Sequence, residues 1–217
     1  MSYTVFITTP CLDSISTIDR TILSVATQAG DFFIRYHIQD GGSTDGTLDR
    51  LLWWQRRLAS EGFPIQCLGI QFTFDSSPDK GMYDALCKGF DAMRIPANSF
   101  MTWINADDML AQGALAFVIN VERQFTPQQV SWIGGATSVI RDDTPLLMSD
   151  NPIPKAAIKA GLCDGVHWNF LQQEGTFFRR WLWASIKPDQ TIRPMKLAGD
   201  WNLWRLFAER SSLVQSK

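Results

Sequence analysis

Carboxylates at the ends of apolar runs are the residues of this chain best placed to do chemistry. Asn105-Ala106-Asp107-Asp108 directly follows the apolar run Phe100–Ile104. Adjacent carboxylates in such a place are costly unless an opposite charge pairs them, and a divalent cation is the simplest partner. Mg2+ or Mn2+ takes one or two carboxylates and completes its shell from water and phosphate oxygens. An N-cap for the helix after Met109 would account for one aspartate and not for both. A second cluster, Asp40-Gly41-Gly42-Ser43-Thr44-Asp45-Gly46-Thr47, also follows a strand-like run. Ligands of open α/β sheets sit beyond the carboxyl ends of the strands. A carboxylate there can accept from a base N–H or a ribose hydroxyl, and the glycines let backbone approach a ligand closely. The competing reading is a turn in which Ser43, Thr44 or Asp45 caps the next helix.

Two further segments combine charge with helical spacing. In Asp79-Lys80-Gly81-Met82-Tyr83-Asp84-Ala85-Leu86-Cys87-Lys88-Gly89, Asp84 and Lys88 stand at i,i+4 spacing, while Tyr83, Leu86, Cys87 and Phe90 share a packed face. Asp79 is either a cap or a cleft residue. Leu197 to Phe207 puts Asp200 at a helix start, as a cap or as a base, with Leu203 and Phe207 on a buried face. Trp168, Trp201 and Trp204 are core residues or a platform beneath a sugar. Just upstream, Glu174, Arg179 and Arg180 offer an acid and an arginine pair of the kind that clamps a diphosphate. A surface ion-pair network would look the same.

The elements that must hold these residues alternate between β-type and helix-period runs, the pattern of an α/β sheet. Strands are expected at Tyr3–Thr8 (stopped by Pro10), Phe33–Gln39, Ile65–Phe72, Phe100–Ile104, Val130–Gly134 and Thr137–Arg141, the last two pairing through Gly135. Helices are expected at Thr17–Gln28, Leu48–Ala59, Gly81–Met93 and Gly113–Phe125. In the first, Ile18, Ile22, Val25 and Ala29 form the buried face. Asp142 to Gly161 reads as a long loop with one short helix. Thr176–Arg180 and Asp200–Glu209 carry the last dense apolar content.

Composition narrows the class. The chain has 217 residues, 45% of them apolar and 19% charged, which suits one well-buried domain and argues against disorder. Lys plus Arg number 20 against 22 for Asp plus Glu. That balance lacks the basic surplus of a phosphate-backbone binder, so nucleic acid is not an expected partner. No apolar run approaches the roughly 18–20 residues of a spanning helix, and Met1–Pro10 lacks the form of a secretory signal. Cys11, Cys67, Cys87 and Cys163 are scattered, and the chain has only 2 histidines. Neither zinc site nor disulfide framework is expected, and a cytoplasmic location follows. The ending Ser211 to Lys217 has no stop signal and is compatible with a truncation.

Taken in order, the clusters form a pattern. The aspartate-glycine turn at Asp40, the D-K-G-x-Y-D-A-x-x-K-G helix at Asp79–Gly89, the N-x-D-D strand end at Asn105–Asp108 and the G-D-W-x-L-W helix at Gly199–Trp204 resemble family-2 inverting glycosyltransferases of glycosyltransferase-A fold. The resemblance runs from Tyr3 to Phe207 and is greatest to the soluble bacterial branch that builds cell-surface polysaccharide. It implies a mixed, mostly parallel Rossmann-like sheet flanked by helices in one catalytic domain. A nucleotide-binding half of about residues 1–110 and an acceptor half of about 111–217 are expected.

The resemblance also implies roles. Asp40 would contact the base and Asp45 the ribose side, with Thr8 and Pro10 beside the nucleoside. Asp79 and Lys88 would line the sugar-nucleotide cleft. Asp107 and Asp108 would hold Mn2+ or Mg2+, with Asp107 also toward the donor, and Asp200 would be the catalytic base. Glu174, Arg179, Arg180 and Trp201 are further candidates for diphosphate or acceptor contacts. Asn105 departs from the usual first aspartate, and Gly199 from the acidic residue that often precedes the base. Arg180-Trp181 lacks the glutamine of the Q-x-x-R-W motif of processive synthases. The implied reaction moves one sugar from a UDP-, GDP- or dTDP-linked donor to a saccharide or lipid-linked acceptor, with inversion. A non-catalytic sugar-nucleotide-binding module is the alternative. A dinucleotide-dependent oxidoreductase would need G-x-G-x-x-G after the first strand, where Thr8-Thr9-Pro10-Cys11 stands. No P-loop sequence is present either, and consecutive carboxylates do not face each other across a ring as in a glycosidase.

Overall fold

The computed structural model describes residues 2–135, 138–141, 144–147 and 152–215. In chain order the elements begin with β1 (Tyr3–Cys11), α1 (Ile18–Ala26), β2 (Gly30–Asp40), α2 (Thr47–Ala59), β3 (Cys67–Ser76), α3 (Met82–Asp91), β4 (Phe100–Trp103) and α4 (Ala114–Gln124). Then follow β5 (Trp132–Gly134), β6 (Ser138–Arg141), β7 (Thr144–Leu147), α5 (Lys155–Ala160), β8 (Thr176–Arg179), α6 (Arg180–Ser185), α7 (Pro188–Thr191), α8 (Gly199–Arg210) and β9 (Val214–Gln215). A 3-10 turn at Gln173–Gly175 leads into β8.

The main sheet has 7 strands in the order β3-β2-β1-β4-β8-β5-β9. β1 to β4 are parallel, and β8 alone runs against its neighbours β4 and β5. This is the expected mixed, mostly parallel α/β sheet. The reversal at β8 decides which residues share an edge. The carboxyl ends of β1, β2, β3 and β4 lie beside the amino end of β8.

Alternation along the strands explains the two-sided core. Val5 and Ile7 of β1 face Ile18, Ile22, Leu51 and Leu115, beneath α1, α2 and α4. Phe6 faces the other way, into a layer with Phe90, Trp103, Phe178, Trp204 and Phe207 beneath α3, α6 and α8. Trp204 stacks on Trp103 at 5.6 Å and on Trp132 at 5.9 Å, and its indole N–H donates to the Leu171 carbonyl at 2.9 Å. These contacts fix α8, and with it Asp200 one turn earlier. Trp204 is thus core and no sugar platform. Gly89 lets α3 lie directly on β1, since a Cβ there would stand 2.4 Å from Thr8 Cγ2.

Several boundaries differ from the sequence expectation. β1 continues through Pro10 to Cys11, because proline is tolerated where a strand has an open side, and β1 pairs with β4 only as far as Thr8. β2 extends to Asp40 inclusive. α1 ends at Ala26, which takes the buried place expected of Ala29; Ala29 itself is exposed. β5 pairs with β8 and β9, whereas β6 pairs with β7 as a separate hairpin. The expected pairing of these two segments through Gly135 is therefore replaced, and Thr137 lies outside the described residues. The stretch read as a long loop contains β7 and α5, with 142–143 and 148–151 outside the description.

Candidate active site at the carboxyl edge of the sheet

Three loops converge beyond the ends of β1, β2 and β3. Asp40 is fully buried at the end of β2. Its Oδ2 accepts from the Gly42 and Ser43 amides, each at 3.0 Å, and from the Ser76 hydroxyl at 2.6 Å, while Oδ1 accepts from the Ser43 hydroxyl. Burial alone would raise its pKa; the Ser43 and Ser76 hydroxyls and the two amides outweigh it and hold the carboxyl below the usual range. Asp40 thus staples the β2 loop to the end of β3. Asp45 Oδ2 accepts from the Ile15 amide at 3.0 Å and Oδ1 from the Thr47 amide and hydroxyl, which ties the β1 and β2 loops together at the start of α2.

Asp40 supports a pH prediction. A carboxyl whose folded pKa is depressed contributes stability above its unfolded value of about 3.9, and that contribution is lost as pH falls through the folded value. Asp40→Asn is therefore expected to be less stable than wild type at pH 7, with the gap closing below about pH 4. Urea titrations at both pH values check this; a gap of constant size would contradict the staple.

The β3 loop contributes Asp79, whose Oδ1 accepts from the Gly81 amide at 2.7 Å. Its Oδ2 lies 2.8 Å from where a Cβ on Gly41 would stand, so the β2 and β3 loops touch. Lys88 donates to the Pro78 carbonyl at 2.9 Å and lies 3.6 Å from Asp84, the expected i,i+4 pair. Thr8 and Pro10, expected beside a nucleoside, are both buried within β1, with Thr8 under Gly89. The Thr8 side chain lies against the helix that the close glycine contact admits.

Beyond β4, the segment Asn105–Asp108 forms a turn, its Asp108 amide donating to the Asn105 carbonyl at 3.1 Å. Thr21 of α1 clamps that turn by donating to the carbonyls of Ala106 and Asp108, at 2.9 and 2.8 Å. Asp108 is half-buried and Asp107 exposed. Asp108 Oδ2 accepts from Asn105 Nδ2 at 3.0 Å and Gln173 Nε2 at 3.4 Å. Burial, then the neighbouring Glu174 carboxyl and the Asp107 charge, push the Asp108 carboxyl well above the usual range.

Around Asp108 the buried oxygens Asn105 Oδ1, Gln173 Oε1 and Glu174 Oε2 have no donor among the described residues. These unpaired oxygens and the Asp108 carboxyl form a hard-oxygen donor set, which suits Mg2+ or Mn2+. Among the described residues no group of three or more His, Cys, Asp or Glu side chains stands close enough to hold a metal alone. That is consistent with a cation completed by water and phosphate oxygens. The residues present fit such an ion.

On the far side of the edge, Asp200 lies in the first turn of α8 and Tyr83 in the first turn of α3. Tyr83 Oη donates to Asp200 Oδ1 at 3.2 Å. Burial, and next the Asp200 charge, raise the Tyr83 phenol above its ordinary value. Gly199 touches the same ring, since a Cβ there would stand 2.6 Å from it. A larger residue at this position, such as the expected acidic one, has no room. Tyr83 read from sequence only as a packing residue. The available signal was a tyrosine at a helix start on an otherwise apolar face.

The β8 reversal separates the remaining candidates. Glu174, just before β8, falls on the same edge as Asp108. Arg179 pairs with Phe100 at the opposite end of β4 and is fully buried. Its guanidinium lies 3.7 Å from the Phe100 ring centroid and donates to Glu122 at 2.7 Å and to the carbonyls of Val130 and Asn98. Arg179 is a structural cation, and Arg180, bonded through its amide to the Ser99 carbonyl, shares its end of the sheet. The arginine pair is no clamp at this edge, because an antiparallel strand carries its last residues away. Trp201 is half-buried, its N–H on the Gly161 carbonyl at 2.9 Å. Trp168 is partly exposed and lines a cleft of about 200 Å³ with Ile153, Val166 and His167.

No protein-family model and no curated protein sequence matches the chain. Solved structures do. The S. aureus TarS fragment 1–349 superposes with TM-score 0.65 at 13% identity, over 100% of this chain and 58% of that one. The Pyrobaculum calidifontis mannosyltransferase PcManGT, solved with GDP-Man and Mn2+, gives 0.56 at 16% identity, over 87% and 49%. Glucosyl-3-phosphoglycerate synthase of Mycobacterium tuberculosis, in complex with UDP, gives 0.55 at 15%, over 98% and 69%. The chain thus spans little more than half the length of the TarS fragment, and 36% of a longer TarS structure. No helix among the described residues is long and apolar enough to cross a membrane. In architecture, this chain is a glycosyltransferase-A-like fold.

Proposed function

We propose that this chain transfers one sugar from a nucleoside diphosphate sugar to a hydroxyl acceptor, with inversion at the anomeric carbon. The observation that carries the reading is the convergence on one sheet edge of a cation-type oxygen cluster about Asp108 and a tyrosine-held aspartate, Asp200. The first 110 residues or so would bind the nucleotide, with the Asp40-stapled and Asp45-stapled loops presenting backbone to it, beside Asp79 and Lys88. Asp107 and Asp108, with Asn105 Oδ1, would hold a divalent cation whose shell water and diphosphate oxygens complete. When bound, that cation neutralises charge on the leaving diphosphate. Asp200 takes the proton from the acceptor hydroxyl as it attacks. The remaining residues hold donor and acceptor in line. The half-exposed Trp201 and Trp168 would flank a saccharide or lipid-linked acceptor. Such chemistry suits cell-surface polysaccharide synthesis at the cytoplasmic face of a membrane. TarS has also been solved with UDP-GlcNAc, which with the GDP-Man and UDP complexes supports a nucleotide-linked donor.

A thermal-shift panel of UDP, GDP and dTDP, each with and without Mn2+, tests the site. One nucleotide is expected to raise the melting midpoint, more so with Mn2+, by about 2.7 kcal/mol of linkage at a hundredfold excess over Kd. The Mn2+ increment should vanish in Asp107→Ala/Asp108→Ala. No response to any nucleotide would contradict the donor site.

A further inference from the structure

We infer that Tyr83 is a positioning residue for Asp200, and that residue 199 is glycine so that the tyrosine ring can reach it. The inference deepens the reading of Asp200 as proton acceptor and rests on it. One phenolic oxygen makes two contacts with the same residue. It donates to Asp200 Oδ1 at 3.2 Å and accepts from the Asp200 backbone N–H at 3.3 Å. The carboxylate is thereby locked to its own peptide plane, which fixes its side-chain rotation. Among the described residues Oδ2 has no partner, so it is the oxygen aimed outward.

The lock is itself braced. Tyr83 is 4% exposed, packed into the core layer beneath α3, α6 and α8. A Cβ at residue 199 would stand 2.6 Å from two ring atoms of Tyr83 and 2.8 Å from a third. Any side chain there displaces the ring. Ala198, just before, takes the left-handed conformation with φ 55, which turns the chain into α8 so that its first amides meet the phenol. α8 is held one turn further on by Trp204, stacked on Trp103 and Trp132, so neither partner of the Tyr83–Asp200 contact is free to follow if the other moves. A phenol here orients the carboxylate without placing a second negative charge beside it. That differs in kind from a neighbouring acid.

The test has a spectroscopic arm and a kinetic arm. The chain has 3 tyrosines, so labelling tyrosine at 13Cζ gives a sparse spectrum in which Tyr83→Phe assigns one signal. That signal is expected to shift in Asp200→Asn. A Tyr83 signal indifferent to Asp200→Asn would overturn the inference. The kinetic arm follows hydrolysis of UDP-glucose, UDP-GlcNAc, GDP-mannose and dTDP-glucose, water standing in for the acceptor. Tyr83→Phe is expected to lower kcat roughly 10- to 100-fold through misorientation, with donor KM and melting midpoint unchanged. Gly199→Ala should lower kcat similarly by displacing the ring. Wild-type kcat in Tyr83→Phe would overturn the positioning role. Absence of turnover by wild type with every donor, while the 13C coupling persists, would instead remove the proton-acceptor reading and leave Tyr83 nothing to position.

Discussion

Asp200→Asn is expected to slow sugar transfer about 100- to 10,000-fold, the range for removal of a general base, while leaving nucleotide-induced stabilisation in place. The substitution keeps shape, and α8 does not depend on it: Trp204 between Trp103 and Trp132, with Phe207 against Phe178, anchors the helix. The Tyr83 hydroxyl can still donate to an amide oxygen. What disappears is an acceptor for the proton of the attacking hydroxyl. A variant that keeps wild-type turnover would exclude Asp200 from the reaction. One that loses nucleotide-induced stabilisation as well would make Asp200 a donor-binding residue.

Arg179→Ala is expected to be the most damaging single change to the fold, at about 3–5 kcal/mol. The guanidinium is fully buried, 3.7 Å from the Phe100 ring centroid, paired with Glu122 and bonded to the Val130 and Asn98 carbonyls. Removing it strands those acceptors and opens a cavity below β4 and β8. A chain of this size loses roughly 2–4 °C in melting midpoint per kcal/mol, so the drop should reach about 10 °C. Nucleotide binding by the folded fraction should persist. A diphosphate clamp would behave in the opposite way, with the midpoint kept and the nucleotide response lost. Calorimetry with and without nucleotide separates the two.

The contrast between these residues shows what a sequence can reveal. The α/β class and most element positions were legible, because period-two and period-3.6 hydrophobic spacing reports directly on which faces are buried. Asp108, Glu174 and Asp200 were legible as acids at element ends. Arg179 looked like a ligand because nothing local in Phe177-Phe178-Arg179-Arg180 tells an exposed cation from a buried one. The direction of β8 settles it, and direction in a sheet is set by long-range pairing. The burial of Thr8 was hidden for a related reason: Gly89 brings α3 down over β1, a contact 81 residues away from Thr8 in the chain. Asp40 was placed at the correct edge, yet whether its oxygens point out or inward depends on Ser76 of a different strand. Tyr83 was hidden within an apolar helix face, its purpose visible only once α8 arrives. The pairing of β6 with β7 was missed because an isolated hairpin leaves no mark in the core pattern.

The most direct test of the central claim is 1H NMR of the first sugar set free when the protein is incubated with Mn2+ and each of four α-linked donors: UDP-glucose, UDP-GlcNAc, GDP-mannose and dTDP-glucose. A single displacement aided by Asp200 predicts release from one donor class, with the β-anomer appearing before mutarotation and no release in Asp200→Asn. The α-anomer as first product would contradict inversion, and no release from any donor would contradict a sugar-nucleotide transferase.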